Sequence, residues 1–310
     1  MPEKRGYPRY MDRRAWTLLI VLAAIWGSSY LFIKIGIRDM SPGMVAWARV
    51  ALGALVLLAI AIPRGALTGL RERAGTLAIV GVVQVAGPFF LIAAGEEEIA
   101  SSLAGILVAS AALWTASLAV FVDHEERSQG LRLAGVLLGF VGVAVLLGVD
   151  LGGSKLLGGL AVVLAALGYA IGGFIVKREL RGAQPLGVAA CVLLVSTIAL
   201  LPVAALTAPD AAPGLGPVLA VVALGVMGTG IAFVIFYDLL GTVGPAKTFM
   251  VTYLAPGFAV IYGATFLDEA ITAATIVGLV LIVVGCYLSA EGRLPARLER
   301  MRAAPADHSA

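Results

Sequence analysis

Apolar runs long enough to cross a bilayer recur along the chain, separated by short polar stretches. A helix needs about 20 apolar residues to span the hydrocarbon layer. Ten segments qualify: 15–36, 43–62, 75–94, 100–122, 130–149, 156–176, 185–206, 215–240, 244–266 and 271–290. The runs are continuous and lack the alternation of barrel strands, so the pattern predicts an all-α integral membrane protein with ten transmembrane helices. Connections are short, and none has the length of a soluble domain. The leading stretch MPEKRGYPRYMDRRAW is basic, but no small-residue cleavage site follows the first apolar run. That run is read as a retained helix.

The polar residues inside this pattern repeat. Shifted by 143 residues, Lys34, Arg38 and Pro42 fall on Lys177, Arg181 and Pro185. In the same register Gly87 meets Gly230, Phe90 meets Phe233, Glu126 meets Glu269, and Gly135 and Gly142 meet Gly278 and Gly285. Chance alignment of apolar helices pairs Leu with Val, not Lys, Arg, Pro and Glu in order. Each copy holds five helices, an odd number, so the second copy enters the membrane from the opposite side. The expected organisation is a tail over 1–14, a five-helix repeat over 15–150, a second over 156–290 and a tail over 291–310. Inverted repeats are the architecture of many secondary transporters, with the substrate near the midplane between the halves. Duplication retained only for packing is the rival account.

Composition and charge narrow the class further. The 310 residues are 60% hydrophobic and 13% charged, where a soluble domain carries about 25% charged residues. The net charge of +3 is scattered between apolar runs, which does not suggest a nucleic-acid partner. With the N-terminus inside, seventeen Lys and Arg fall on the cytoplasmic side and two, Arg38 and Lys155, on the outer side. Lys34, Arg49 and Lys247, within or at the ends of spans, stand outside that tally. The asymmetry predicts that both termini are cytoplasmic. Cys191 and Cys286 each lie inside an apolar run and offer no disulfide framework. The histidines, His124 and His308, lie in a connection and in the tail, so no nucleophile–base or metal constellation is expected in the membrane. There is no G-x-x-x-x-G-K phosphate loop. Neither enzymatic activity nor a cofactor or metal is expected.

The run WGSSYLFIK, Trp26 to Lys34, with Ser41-Pro42 and Arg49, resembles the first helix pair of EamA-like proteins in the drug/metabolite transporter superfamily. Asp123-His124-Glu125-Glu126-Arg127 and the second copy LAPGFAVIYGATFLDEAIT, Leu254 to Thr272, fit the same family. The resemblance covers nearly the whole chain. Its motifs are loose singly and jointly specific to the superfamily, and they do not identify a substrate. It implies a multi-pass protein of the bacterial cytoplasmic membrane with a central cavity lined by helices 1, 3, 4, 6, 8 and 9. Helices 5 and 10 would pack behind, as their glycines suggest. One departure stands out. The family often has proline in the fourth helix of each half; Pro256 is present in the ninth, but its repeat position is Leu113. The two gates are therefore expected to bend unequally, with Pro88 in the third helix supplying the other kink.

Polar and aromatic groups in the expected lining helices are the candidates for substrate contact: Trp26, Ser29, Tyr30, Gln84, Trp114, Tyr169, Thr229 and Tyr253. Polar side chains at membrane depth are costly unless they face protein or water. Gln84 and Trp114, near mid-span, fit lining or packing equally. Arg49, seven residues and about 10 Å into its helix, fits a structural clamp better than a partner for a substrate carboxylate. Lys34 and Lys177 each follow an aromatic, Trp26 or Tyr169, by eight residues, about 12 Å. Lys34 reads as a snorkelling helix end with a share in the outer mouth. Lys247 reads as snorkelling, with a part in the inner gate left open. The acids of the Asp123–Glu126 run read as caps for the start of helix 5. No acid lies at mid-span, which argues against a contested proton site and for a facilitator or substrate-linked coupling.

The expected function is alternating-access export of small metabolites, amino acids or amphipathic aromatic compounds. Multidrug efflux and a passive channel are the alternatives. A small-molecule substrate and the lipid bilayer are the expected partners, and homodimerisation stays open.

Overall fold

The computed structural model describes residues 11–122, 130–149 and 154–291. The Asp123–Arg127 run and most of both tails lie outside the described residues. The chain forms α1 (Arg13–Gly36), α2 (Pro42–Ala61), α3 (Arg71–Glu98) and α4, in two pieces, Ser101–Val108 and Ala111–Val122. Then come α5 (Leu131–Val149), α6 (Ser154–Glu179), α7 (Pro185–Leu206) and α8 (Leu215–Thr242). The series ends with α9, in two pieces, Pro245–Thr248 and Val251–Phe266, and α10 (Ala273–Glu291). Among the described residues, nine helices, α4 counted across its break, are long and apolar enough to span a bilayer, and the main piece of α9 is the tenth. Large apolar side chains such as Leu55, Leu137, Leu157 and Ile261 are exposed around the outside, as lipid-facing positions must be.

Helix starts follow local chemistry. The Asp12 carboxylate accepts the Ala15 N–H and the Ser41 hydroxyl accepts that of Met44, with Pro42 opening α2. Side-chain acceptors of this kind fill otherwise orphaned donors, and proline is preorganised for the first turn. The start of α1 and the end of α10 lie at one face of the bundle, the terminal face. The α1–α2, α3–α4, α7–α8 and α9–α10 connections lie at the far face, where Asp39 accepts the Gly214 N–H.

Packing obeys the duplication. α1 packs on α8 and α9, and their repeat mates do the same: α6 packs on α3 and α4. α2 lies against α7, and α5 against α10, each a helix and its own mate. The α5–α10 pair flanks α4 and α9 and stays behind the central six helices. Its seam is made of small residues: a Cβ on Gly285 would sit 2.6 Å from the Gly139 backbone, and one on Gly142 3.1 Å from the Gly278 carbonyl. Close backbone approach is what such residues supply in a membrane, where burial of apolar surface drives no association.

Four helices are interrupted, and they form two repeat pairs. α3 is π-helical over Gly81–Ala86 and α8 over Val226–Ile231. In α3 the cause is Pro88, which cannot donate to the carbonyl four residues back and crowds it. In α8 the one proline, Pro217, lies in the first turn, far from the stretch; Gly228, Gly230 and Thr229, whose hydroxyl donates to the Leu224 carbonyl at 3.2 Å, loosen the ladder there. α4 breaks at Ala109-Ser110 and α9 at Phe249-Met250. The expectation that helix 4 bends less for want of a proline therefore fails: it breaks without one, and the Cys286 thiol donates to the Ala109 carbonyl, which also accepts the Ala112 N–H. Pro256 lies inside the main piece of α9, beyond the break.

Gly285→Val should lower the unfolding free energy by about 1–3 kcal/mol, the usual cost of overpacking. Gly257→Ala, where nothing lies within 4 Å of an added Cβ, should change it by less than about 1 kcal/mol. Thermal unfolding of the two purified variants in one detergent compares them directly.

Candidate functional site

The helices meet differently at the two faces. The far-face piece of α4, Ser101–Val108, packs against α1, α3, α6, α9 and α10. A Cβ on Gly105 would lie 2.5 Å from Ala259 Cβ of α9, and one on Gly27 of α1 would lie 2.5 Å from Phe258 Cβ. The terminal-face piece, Ala111–Val122, packs against α5, α6 and α10, away from the centre. The short first piece of α9 packs on α8, and Phe249 beside it is 51% exposed. The bundle is thus joined at its far half and parted at its terminal half, with the breaks in α4 and α9 between.

Side chains fasten the far half. Glu269, in the α9–α10 connection, accepts the backbone N–H groups of Ser101 and Ser102 at 2.7 and 2.9 Å. Gly263 leaves room for that carboxylate. The acid therefore caps the start of helix 4 across the repeats; the run of its repeat mate Glu126, read as a cap for helix 5, lies outside the described residues. Thr272 caps α10 instead. Lys34 does not snorkel. Its ammonium turns inward and donates to the Glu96 and Ile99 carbonyls, the latter at 3.0 Å, closing the end of α3. Its mate Lys177 is exposed. Lys34, Arg38, Glu97 and Glu269 line an open depression of about 420 Å³ at this face. Behind it Glu96 is 0% exposed, and neither carboxylate oxygen has a hydrogen-bond partner.

The centre holds a second polar group. Arg49 is 8% exposed; its Nε donates to the Thr229 hydroxyl at 3.0 Å, and its guanidinium lies 3.8 Å over the Phe89 ring. Gly53, one turn along α2, makes this approach: a Cβ there would be 2.6 Å from Thr229 Cγ2. Tyr30 and Tyr169 lie within electrostatic reach of Arg49, and Tyr169 meets Phe89 edge-on at 6.4 Å. Ser29 abuts Gly228 beside Thr229. Toward the terminal face, Trp26 lies 6.4 Å from Phe233 and 5.5 Å from Phe236, and Tyr237 and Phe249 extend the aromatic group. The arrangement can bind and release a small molecule. Among the described residues no His, Cys, Asp and Glu cluster could hold a metal ion.

A model of the EamA-like transporter family matches residues 14–148 and again residues 156–290. The chain belongs to that family. It is 27% identical over 295 residues to an Escherichia coli protein named a probable amino-acid metabolite efflux pump, covering 91% of this chain and 96% of that one. It is 24% identical over 277 residues to the uncharacterized Bacillus subtilis transporter YoaV, covering 87% and 94% of the two chains. One solved crystal structure matches with a TM-score of 0.65 at 20% identity, covering 94% of this chain and 100% of that one; that likeness is one of fold. The EamA-like chain is a multi-pass membrane transporter of the drug/metabolite type, and not an enzyme.

Within this EamA-like transporter the residues singled out from sequence divide. Ser29, Tyr30, Tyr169 and Thr229 gather around Arg49, and Trp26 joins the aromatic group below them. Gln84 packs on Gly172 of α6 from inside the π-helical stretch of α3, which Pro88 follows. Trp114 turns edge-on to Phe140 of α5 at 4.9 Å, with its indole nitrogen unpartnered. Tyr253 packs on the cluster around Leu107, Leu113 and Ile282. Sequence reasoning set Arg49 aside as a clamp and passed over Phe89, Glu96 and Phe236. The spacing Phe233-x-x-Phe236-Tyr237, one helical face, was the available signal for the aromatic group.

Glu269→Ala should cost about 1–2 kcal/mol, as the loss of a capping acceptor does. Thermal unfolding should show the loss, and restoring an acid at 269 should reverse it.

Proposed function

We propose that the protein exports small metabolites, amino acids or amphipathic aromatic compounds, across the cytoplasmic membrane by alternating access between its two repeats. The observation that carries this reading is the asymmetry of α4 and α9. Their far halves are packed together and their terminal halves are parted, with interruptions between that allow the halves to move separately. In an inverted repeat the reverse arrangement is available to the same helices, and the substrate lies between. The excess of Lys and Arg toward the terminal face makes that face cytoplasmic. The parted side is then the one that loads from the cell interior. An aromatic group leading to a polar centre suits cargo with an apolar body and a polar head. The E. coli relative named an amino-acid metabolite efflux pump supports the choice of amino acids and of export.

Proteoliposomes test the proposal. Saturable flux and counterflow are expected for at least one amino acid or aromatic metabolite, whereas a passive pore gives neither. Tyr30→Ala should lower kcat/KM by about tenfold, equivalent to about 1.4 kcal/mol. Trp114→Ala, whose ring packs on Phe140, should have a smaller effect. Normal flux in Tyr30→Ala would remove the central group from the route.

A further inference from the structure

We propose that Arg49 receives the carboxylate of the transported molecule, with the hydroxyls of Tyr30 and Tyr169 as accessory donors. The inference rests on the reading that the centre binds a small metabolite, and it names the chemical head of that cargo. Arg49 is the eighth residue of α2, about 11 Å from its end. It lies deep in the bundle and is always charged. Its hydrogen bond among the described residues is the Nε–H donation to Thr229, and the Thr229 proton is directed to the Leu224 carbonyl. That chain fixes one edge of the guanidinium and leaves both terminal amino groups without an acceptor. Phe89 holds the plane from below.

Among the described residues no acid lies within ion-pair distance of Arg49; Glu96 reaches it only through the longer-range field, and its carboxylate is enclosed in α3. The hydroxyls of Tyr30 and Tyr169 likewise make no hydrogen bond among the described residues, and both side chains keep part of their surface accessible. The free edge of the guanidinium thus faces a centre to which Tyr30 and Tyr169, packed on one shared cluster, add donors. A buried cation without a counter-charge is costly, and a planar carboxylate matches the free fork of the guanidinium in both geometry and charge. A clamp alone would need only the Thr229 bond.

Acid and amide pairs test this on the full chain, purified in detergent. Phenylalanine and leucine differ from phenylalaninamide and leucinamide only at the carboxylate. From ligand-dependent thermal shifts, wild type should bind at least one acid about tenfold more tightly than its amide. Arg49→Gln should lose that preference. Thr229→Val, which removes the partner of Nε and keeps the guanidinium, should retain it even if less stable. If Arg49→Gln does not fold, the wild-type comparison together with Tyr30→Phe, expected to weaken acid binding and leave amide binding unchanged, decides the matter. Equal binding of acid and amide, no stabilisation by either acid, a preference that survives Arg49→Gln, or stabilisation by inorganic phosphate equal to that by the acids would each overturn the assignment. Saturable flux of acid and amide alike removes the carboxylate site and leaves transport standing. A carboxylate preference in binding without flux removes transport and leaves the site.

Discussion

A backbone carbonyl in hydrocarbon has no water to accept from, so every interruption of a membrane helix must be closed by some other group in the protein. Among the described residues four helices are interrupted, and side-chain donors join the backbone N–H groups at the openings. Thr229 donates to Leu224, Cys286 to Ala109, Thr252 to Phe249, and Lys34 to the carbonyls at the end of α3. Each donor belongs to a helix that borders the centre or packs directly behind it. Thr229 does both jobs, closing the α8 stretch and holding Arg49, and irregular backbone occurs where protein surrounds it.

The duplication makes such a plan economical. The register that aligns Gly135 with Gly278 and Gly142 with Gly285 in sequence crosses them in space: Gly135 lies against Gly285, and Gly142 against Gly278. An antiparallel pair of mates related by a two-fold axis must pack that way. The same axis carries α1–α9 onto α6–α4, so a surface that closes one face has a counterpart able to close the other. The counterparts are not identical in detail. Lys34 is buried in hydrogen bonds and Lys177 is exposed, and this difference distinguishes the two ends of an otherwise symmetric plan.

That difference also marks how far the sequence could be read. Spans, repeat and inversion were legible because they follow from run lengths, one constant offset and an odd helix count. The flanking place of helices 5 and 10 was implied by the family resemblance, and the glycine spacing agreed with it. The surroundings of Arg49 were not legible, because a clamp and a ligand group share residue type and depth, and its bond to Thr229 in the other repeat shows in no local pattern. Lys34 misled because snorkelling is the ordinary fate of a lysine at a helix end, and the competing carbonyls belong to a helix more than sixty residues away. The break in α4 carried no proline to announce it. Glu269 caps a helix start in the other repeat, a partnership that no local pattern contains.

The far-face closure consists of a few hydrogen bonds, from Glu269 and Lys34, set against the burial of Glu96 without a partner. Hydrogen bonds to charged groups contribute about 1.5–3 kcal/mol each, and an enclosed carboxyl group without partners offsets part of that. The polar part of the closure is therefore worth less than the roughly 6–12 kcal/mol to which four such bonds would sum. A carrier needs this balance. A small ligand shifts a two-state equilibrium only by its differential affinity for the states, and about 5.5 kcal/mol already moves the ratio from 1:99 to 99:1. A fully paired Glu96 would deepen the present state beyond the reach of such a ligand. Leaving Glu96 without a partner at the closed face lowers the closure toward the range that binding one small molecule can reverse.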